Sequence, residues 1–219
     1  NMWHVGGTIV VQSTPQRLDA DDIWSTIERE RVNALTVVGD AFARPLLDGL
    51  EKRDYDLSSL RLLTSSGAVL APALKDAFLR AIPGLRILDA LGSSESGQQG
   101  SQISRSGGKS SSGDFVLVED NVLLREDFSQ LVPPGSEEQG WLARRGFVPL
   151  GYYRDPEKTL KTFPVVDGVR YSVPGDRAFA GADGRLRLLG RDSVAINRGG
   201  ETICAEEVEQ ALMHHPAVF

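Results

Sequence analysis

Between Gly7 and Leu91 short apolar runs alternate with stretches of helical period, and this alternation restricts the fold more than any other feature of the chain. "TIVVQ" at 8–12 reads as a strand. Ile23, Ile27 and Arg31 then step by four through a helix opened by Asp21 and Asp22, and "ALTVVG" at 34–39 is strand-like again. Phe42, Leu46 and Leu50 mark a second helix, "LRLLTSS" a strand, Leu74, Phe78 and Ala81 a third helix, and "LRILDAL" another strand. β-α-β order predicts an α/β fold with a mostly parallel sheet flanked by helices. In such sheets ligands collect beyond the C-terminal strand ends, where "TSSGAVL" and "LGSSESGQQG" are the predicted loops.

The pattern changes after that. Residues 101–113, "SQISRSGGKSSSG", read as a mobile connection in preference to a phosphate-binding loop. From Asp114 to Leu189 short β runs, "FVLVED", "NVLLRE", "GWLARRG" and "RLRLLG", alternate with Pro- and Gly-rich turns, which predicts a smaller antiparallel β subdomain, as an open sheet or a barrel. The expected boundaries are therefore 1–112, 113–191 and 192–219, with a Gly199-Gly200 turn leading into a helix over "AEEVEQAL". The last piece is too short for a domain, and "AVF" at the end reads like the start of another strand, so the chain is expected to be cut from a longer one.

Composition removes several function classes. A net charge of −6 with Lys and Arg spread along 219 residues gives no nucleic-acid footprint. Cys204, the single cysteine, forms no internal disulfide and no metal cluster, which fits a reducing, cytoplasmic setting. No apolar run approaches the ~20 residues of a transmembrane segment.

Three short motifs carry possible chemistry. In "DALGSSESG", Gly92 permits a tight turn, Ser94 offers a phosphate a hydroxyl, and Glu95 offers Mg²⁺ a carboxylate, although alone this is also a common polar loop. In "YSVPGDRAF", Asp176 follows a Pro-Gly turn and has the two acceptor oxygens that a ribose diol needs, against ordinary turn chemistry. In "GRDS", Arg191 is a donor fork suited to ribose or phosphate, or a solvated arginine at a strand end. Their order and spacing, with Arg191 fifteen residues beyond Asp176 and a Gly-Gly turn into "EEVE" after it, weigh more than any one of them.

As a set, "SSGAVL", "LGSSE", "GYYRDPEKT", "PGD" and "GRDSVAINRGGETICAEEVE" resemble the motifs of the adenylate-forming superfamily over essentially the whole chain, and the wording "INRGGE" is most similar to fatty acyl-CoA synthetases. The resemblance implies the superfamily's N-terminal domain fold, with a nucleotide- and acyl-binding part in 1–112, a β subdomain in 113–191 and a hinge at Ser193 opening the next domain. It implies Ser94 at the ATP phosphates and Glu95 on Mg²⁺, Gly67, Ala68 and Leu91 against adenine, and Asp89 near the exocyclic amine. Asp176 and Arg191 would hold the ribose, Val38, Gly39, Asp40 and Gly92 the carboxylic acid, and Gly199 and Gly200 the arm of CoA. Leu91 stands where the family has an aromatic residue and Pro174 where it has threonine, and Asp40, where the family often has an apolar residue or proline, reads as a surface turn.

The family's reaction joins an acid to AMP from ATP and then to a thiol. The phosphate-binding loop and the adenylating lysine are expected outside these residues, so the isolated segment is expected to be inactive. The expected partners are a carboxylic acid with a fatty or related chain, ATP and CoA, and a homodimer is compatible with this reading. The alternatives are a ligase that loads a carrier protein and a non-catalytic nucleotide-binding module.

Overall fold

The computed structural model describes residues 2–108, 110–183, 185–191, 196–198, 201–203, 208, 211–212 and 215. The expectations placed on Ser193, Gly199, Gly200, Cys204 and most of the last helix fall outside them. The chain gathers into two units, residues 1–90 with 102–112, and residues 91–101 with 113–219.

After a 3₁₀ turn over Met2–Val5, the first unit consists of α1 (Ala20–Glu30), β1 (Ala34–Val37), α2 (Gly39–Lys52), β2 (Leu62–Ser66), α3 (Pro72–Ala81) and the start of β3 (Arg86–Ser93). The three strands are parallel, with Ala34 opposite Leu62 and Leu62 opposite Arg86. Each helix starts for a readable reason. The Asp19 side chain accepts from the Asp22 amide at the N-terminus of α1, and Pro72 occupies the first turn of α3, where its missing N–H costs nothing. Arg31 ends α1 in the left-handed region at φ 54°. Trp24, Leu46, Leu60, Leu63, Phe78 and Ile87 are fully buried between these elements. At ~1.5–3 kcal/mol for each large apolar side chain, this cluster supplies much of the unit's stability.

"TIVVQ" is not a strand. Residues 8–12 have no strand partner among the described residues, and Ile9 and Val11 are exposed, because period-2 patterning makes a strand only where a neighbour completes the ladder.

The second unit is antiparallel. It takes the end of β3 and the start of β4 (Gly97–Arg105), then β5 (Asp114–Leu117), β6 (Asn121–Leu124), β7 (Gln139–Arg144), α4 (Pro156–Thr162), β8 (Val165–Val166), β9 (Val169–Arg170), β10 (Asp176–Ala180), β11 (Leu186–Arg191), β12 (Ile196–Arg198) and β13 (Glu201–Ile203). The strand order is β4-β5-β11-β10-β7-β6, while β8 pairs with β9 and β12 with β13. Among the described residues no pairing joins β6 to β4. One face buries Phe115, Leu123, Leu142, Ala178 and Leu186, and Leu91 packs against them.

Composition reads residues 101–113 as a mobile connection, but the described residues among them, 101–108 and 110–113, make strand and side-chain bonds. Their first part continues β4 to Arg105, and their last part is pinned to the first unit's own elements. Ser110 Oγ donates to Asp76 at 2.6 Å, Ser112 Oγ to the Leu70 carbonyl at 2.6 Å, and Lys75 Nζ to the Ser111 carbonyl at 2.6 Å. Of these serines, which look like linker residues, Ser110 and Ser112 donate through their hydroxyls and Ser111 accepts through its carbonyl. No helix of the described residues is long and apolar enough to cross a membrane.

Candidate active site

In the first unit the C-terminal ends of the parallel strands bring two groups of predicted residues together. Val37, Ser65 and Asp89 lie side by side on β1, β2 and β3. The Gly39 amide donates to Ser65 Oγ at 3.3 Å and the Asp40 amide to the Val69 carbonyl at 3.2 Å. Gly39 has φ +58°, and a Cβ on it would lie 2.6 Å from the Val69 oxygen and 2.7 Å from the Ala68 Cβ. Residues 38–40 and 67–69 therefore meet at a glycine where a Cβ would crowd the neighbouring segment. Gly67, at φ +83°, turns the chain out of β2, and Ala68 stands exposed after it.

Asp40 is not a free surface turn. Its Oδ1 accepts from the Ala71 amide at 2.7 Å, which ties the first turn of α2 to the N-cap of α3. An apolar cleft of about 500 Å³ lies in the same unit, lined by Val10, Val11, Leu18, Leu35, Val37 and Phe42 among others, and none of Val38, Gly39 and Asp40 borders it.

In the second unit "LGSSESGQQG" is a hairpin and not a loop, because β3 runs to Ser93 and β4 starts at Gly97. A Cβ on Gly92 would sit 2.2 Å from the Gly97 oxygen, so the tight turn depends on that glycine. Ser93 Oγ accepts from the Ser96 amide at 3.2 Å, and Arg144 donates to the Ser96 carbonyl at 2.8 Å. This bracing leaves Ser94 exposed at the tip and Glu95 half-buried beside it.

Sequence reasoning missed the partners of Glu95. The Tyr152 hydroxyl donates to Glu95 Oε1 at 2.6 Å, and the fully buried Ser172 donates to the Glu95 carbonyl at 2.9 Å. The Tyr152 bond is the largest influence holding the Glu95 carboxyl below its usual range, with burial opposing it and the Glu95 backbone, Ser93 and Lys158 adding to it. Burial first, and then the same bond, push the Tyr152 phenol up. The sequence signal was "GYYRDPEKT", which showed two tyrosines without showing which turns inward. Tyr153 is 85% exposed.

Among the described residues no three acidic, histidine or cysteine side chains converge on a metal position. An ionised, half-exposed carboxylate such as Glu95 still fits Mg²⁺ that arrives on phosphate oxygens, since that ion needs only one or two protein carboxylates. Asp176 opens β10 nearly buried, directly across from Arg191 on β11, and Arg191 Nε donates to its Oδ1 at 2.9 Å. Leu91 is half-buried against the Phe115 cluster.

The chain matches the model of the AMP-binding enzyme family over residues 1–153. It is 51% identical over 213 residues to the medium-chain acyl-CoA ligase Mig of Mycobacterium avium, covering 97% of this chain and 38% of that protein. It is 42% identical over 220 residues to a 3-oxocholest-4-en-26-oate–CoA ligase of Rhodococcus rhodochrous, covering 98% of this chain and 39% of the relative. Among solved structures, the anthranilate CoA ligase AuaEII with anthranoyl-AMP superposes with a TM-score of 0.79 at 30% identity, covering 98% of this chain and 40% of that one. The Bacillus subtilis o-succinylbenzoate CoA synthetase with AMP, 24% identical and covering 97% of this chain and 42% of its own, shares the fold with a TM-score of 0.76. The chain thus spans about two fifths of the length of the relatives it matches, and it belongs to the AMP-binding enzyme family.

Proposed function

We propose that these residues are the nucleotide-binding part of an acyl-CoA synthetase. An oxygen of the acid's carboxylate attacks the α-phosphorus of ATP; a P–O bond forms as the bond to pyrophosphate breaks, which gives acyl-AMP. The CoA thiol then attacks the acyl carbon, and AMP leaves as the C–S bond forms.

The observation that carries this reading is the Glu95 carboxylate, held ionised by Tyr152 on a braced hairpin beside an exposed Ser94. Negative charge shifts to the leaving pyrophosphate during the first step, so fixed donors and a fixed carboxylate near the phosphates contribute by being in place beforehand. Ser94 would donate to a phosphate oxygen, and Asp176 with Arg191 would orient the ribose from β10 and β11. Glu95 would hold Mg²⁺, which supplies charge neutralisation on the phosphate oxygens. Gly67, Ala68, Asp89 and Leu91 would frame the base, Val38, Gly39, Asp40 and Gly92 the acid, and Gly199 and Gly200 the thiol arm. The 42% identity to a ligase named for a steroid side-chain acid and the 51% identity to one named for medium chains support a fatty or related acid as substrate.

The test uses an intact ligase carrying this segment: carboxylate-dependent release of pyrophosphate from ATP with acetate, octanoate, palmitate and a steroid-derived acid, with and without CoA. Release with one acid class followed by CoA-dependent release of AMP is the expected result. Transfer to a phosphopantetheinylated carrier protein in place of CoA would favour a carrier-loading ligase, and silence with every acid would overturn the reading.

A further inference from the structure

Lys75 is the most deeply buried charged side chain among the described residues, with 1% of its surface exposed. A lysine pays to leave water and gains only from well-placed acceptors. Its ammonium donates to Asp89 Oδ2 and, at 2.6 Å, to the Ser111 carbonyl. Gln102 holds Ser111 through its hydroxyl, and Ser110 and Ser112 tie the same segment to Asp76 and Leu70. Lys75 is therefore fixed from two sides before any ligand arrives.

Asp89 is fixed less completely. Only its Oδ2 has a hydrogen-bond partner among the described residues, and its side chain keeps 11% of its surface. It stands on β3 directly across from Ser65, and β2 runs on from Ser65 through Ser66 into Gly67 and Ala68. Burial raises the Asp89 carboxyl above its ordinary value, and the Lys75 ammonium limits that rise without cancelling it.

We propose that Lys75 is a positioning residue that sets the choice of nucleobase: by occupying Asp89 Oδ2 it keeps Asp89 a pure acceptor, whose Oδ1 takes the exocyclic amine of adenine and turns away the carbonyl of guanine. The inference rests on the reading of this segment as an ATP site. An ionised carboxylate has no proton to donate. Adenine meets it with N–H groups, whereas guanine presents an oxygen at the same ring position, and the two acceptors repel. Without the lysine, burial favours the protonated acid, which donates as well as accepts and so tolerates either base. A lysine present only to fasten the 110–112 segment would affect folding and leave the base preference alone.

The experiment again uses an intact ligase carrying the segment, with kcat and KM for ATP, GTP and purine riboside triphosphate, which lacks the exocyclic amine. The unmodified enzyme is expected to favour ATP over purine riboside triphosphate by at least about tenfold, the scale of one hydrogen bond to a charged group. Equal use of the two overturns the proposal without any variant. Lys75→Met is expected to lower the ATP/GTP ratio of kcat/KM by about tenfold or more, chiefly through KM for ATP. The single variant Asp89→Asn, whose amide donates as well as accepts, is expected to lower the ATP/GTP ratio in the same direction. A folded Lys75→Met enzyme with an unchanged ratio overturns the proposal. An unmodified enzyme that releases no pyrophosphate with any acid or nucleotide overturns the synthetase reading instead; binding of AMP against purine riboside monophosphate then decides the role of Asp89 by itself.

Discussion

The Tyr152 hydroxyl reaches the Glu95 carboxylate at 2.6 Å across 57 residues of chain, and the Thr159 hydroxyl, accepting from the Tyr152 amide at 2.9 Å, fixes the backbone behind it. The Lys158 ammonium lies 4.1 Å from the centre of the Tyr152 ring. A carboxylate proposed to meet phosphate and metal is thus oriented by a phenol from a separate part of its own unit.

Tyr152→Phe is expected to lower kcat/KM for ATP about tenfold, because a hydrogen bond to a charged group contributes ~1.5–3 kcal/mol. It also moves the acid limb. With the native carboxyl lowered below its ordinary 4.5, Glu95 contributes stability that is present above that value and is lost as pH falls through the lowered one. Removing the largest cause of the lowering brings the native value back up, so the variant loses this contribution at neutral pH and gains less on leaving acid. Urea titrations at pH 7 and pH 3 measure it: the difference in stability between the two enzymes should shrink at the lower pH, and a constant difference would mean that Tyr152 acts by packing alone.

The sequence made the layers legible and the fastenings obscure. Apolar spacing marked α1, α2, α3 and the three parallel strands, because those residues are buried for the reason that makes them periodic. "TIVVQ" misled, since its alternation makes a strand only beside a partner, and none pairs with it among the described residues. The 101–113 segment misled in the opposite sense, its serines being read as linker although each of Ser110, Ser111 and Ser112 bonds to a residue more than thirty positions away. Lys75 was open to detection, because it shares a helical stripe with Phe78, Leu79 and Ile82, where a lysine must find an acceptor. No such pattern marks Tyr152 or Ser172, whose pairing with Glu95 depends on how distant loops close.

Two glycines separate conformational strain from crowding. At Gly39 a Cβ meets the Val69 oxygen at 2.6 Å on a backbone with φ +58°, whereas at Gly67 the nearest atom is 3.7 Å away and only the φ of +83° resists substitution. Gly39→Ala is expected to cost ~2–4 kcal/mol and Gly67→Ala ~1 kcal/mol. Denaturant midpoints of the two variants in the intact ligase check the order; equal losses would mean that the contact with Ala68 and Val69 relaxes freely.

Trp24 anchors the first unit, fully buried, with its indole N–H donating to the Leu46 carbonyl at 2.9 Å and Gly49 making room for its ring. Trp24→Ala is expected to cost ~3–5 kcal/mol, as for other buried aromatic truncations, and Trp24→Phe less than half of that. Thermal unfolding monitored by circular dichroism reads both, and a loss below ~1 kcal/mol for the alanine variant would contradict the packing described.

Asp176 and Arg191 face one another across β10 and β11 with a 2.9 Å bond between Nε and Oδ1. Arg191 is half-exposed on its side chain and Asp176 only 7%, so the carboxylate is the rigid member and the guanidinium the adaptable one. A ribose diol donates two hydrogen bonds, which an ionised carboxylate accepts and an amide oxygen accepts only in part. Asp176→Asn is therefore expected to weaken AMP binding about tenfold or more and to raise KM for ATP with little change in kcat, since the ribose is held equally in the ground state and the transition state. Arg191→Lys keeps the charge and loses the planar fork, and its smaller effect should grow when AMP is replaced by 2′-deoxy-AMP if the arginine contacts the 3′ side. Isothermal titration with AMP, 2′-deoxy-AMP and 3′-deoxy-AMP separates these contributions. If Asp176→Asn binds all three nucleotides as the unmodified enzyme does, the pair is a strand fastening and the ribose is held elsewhere.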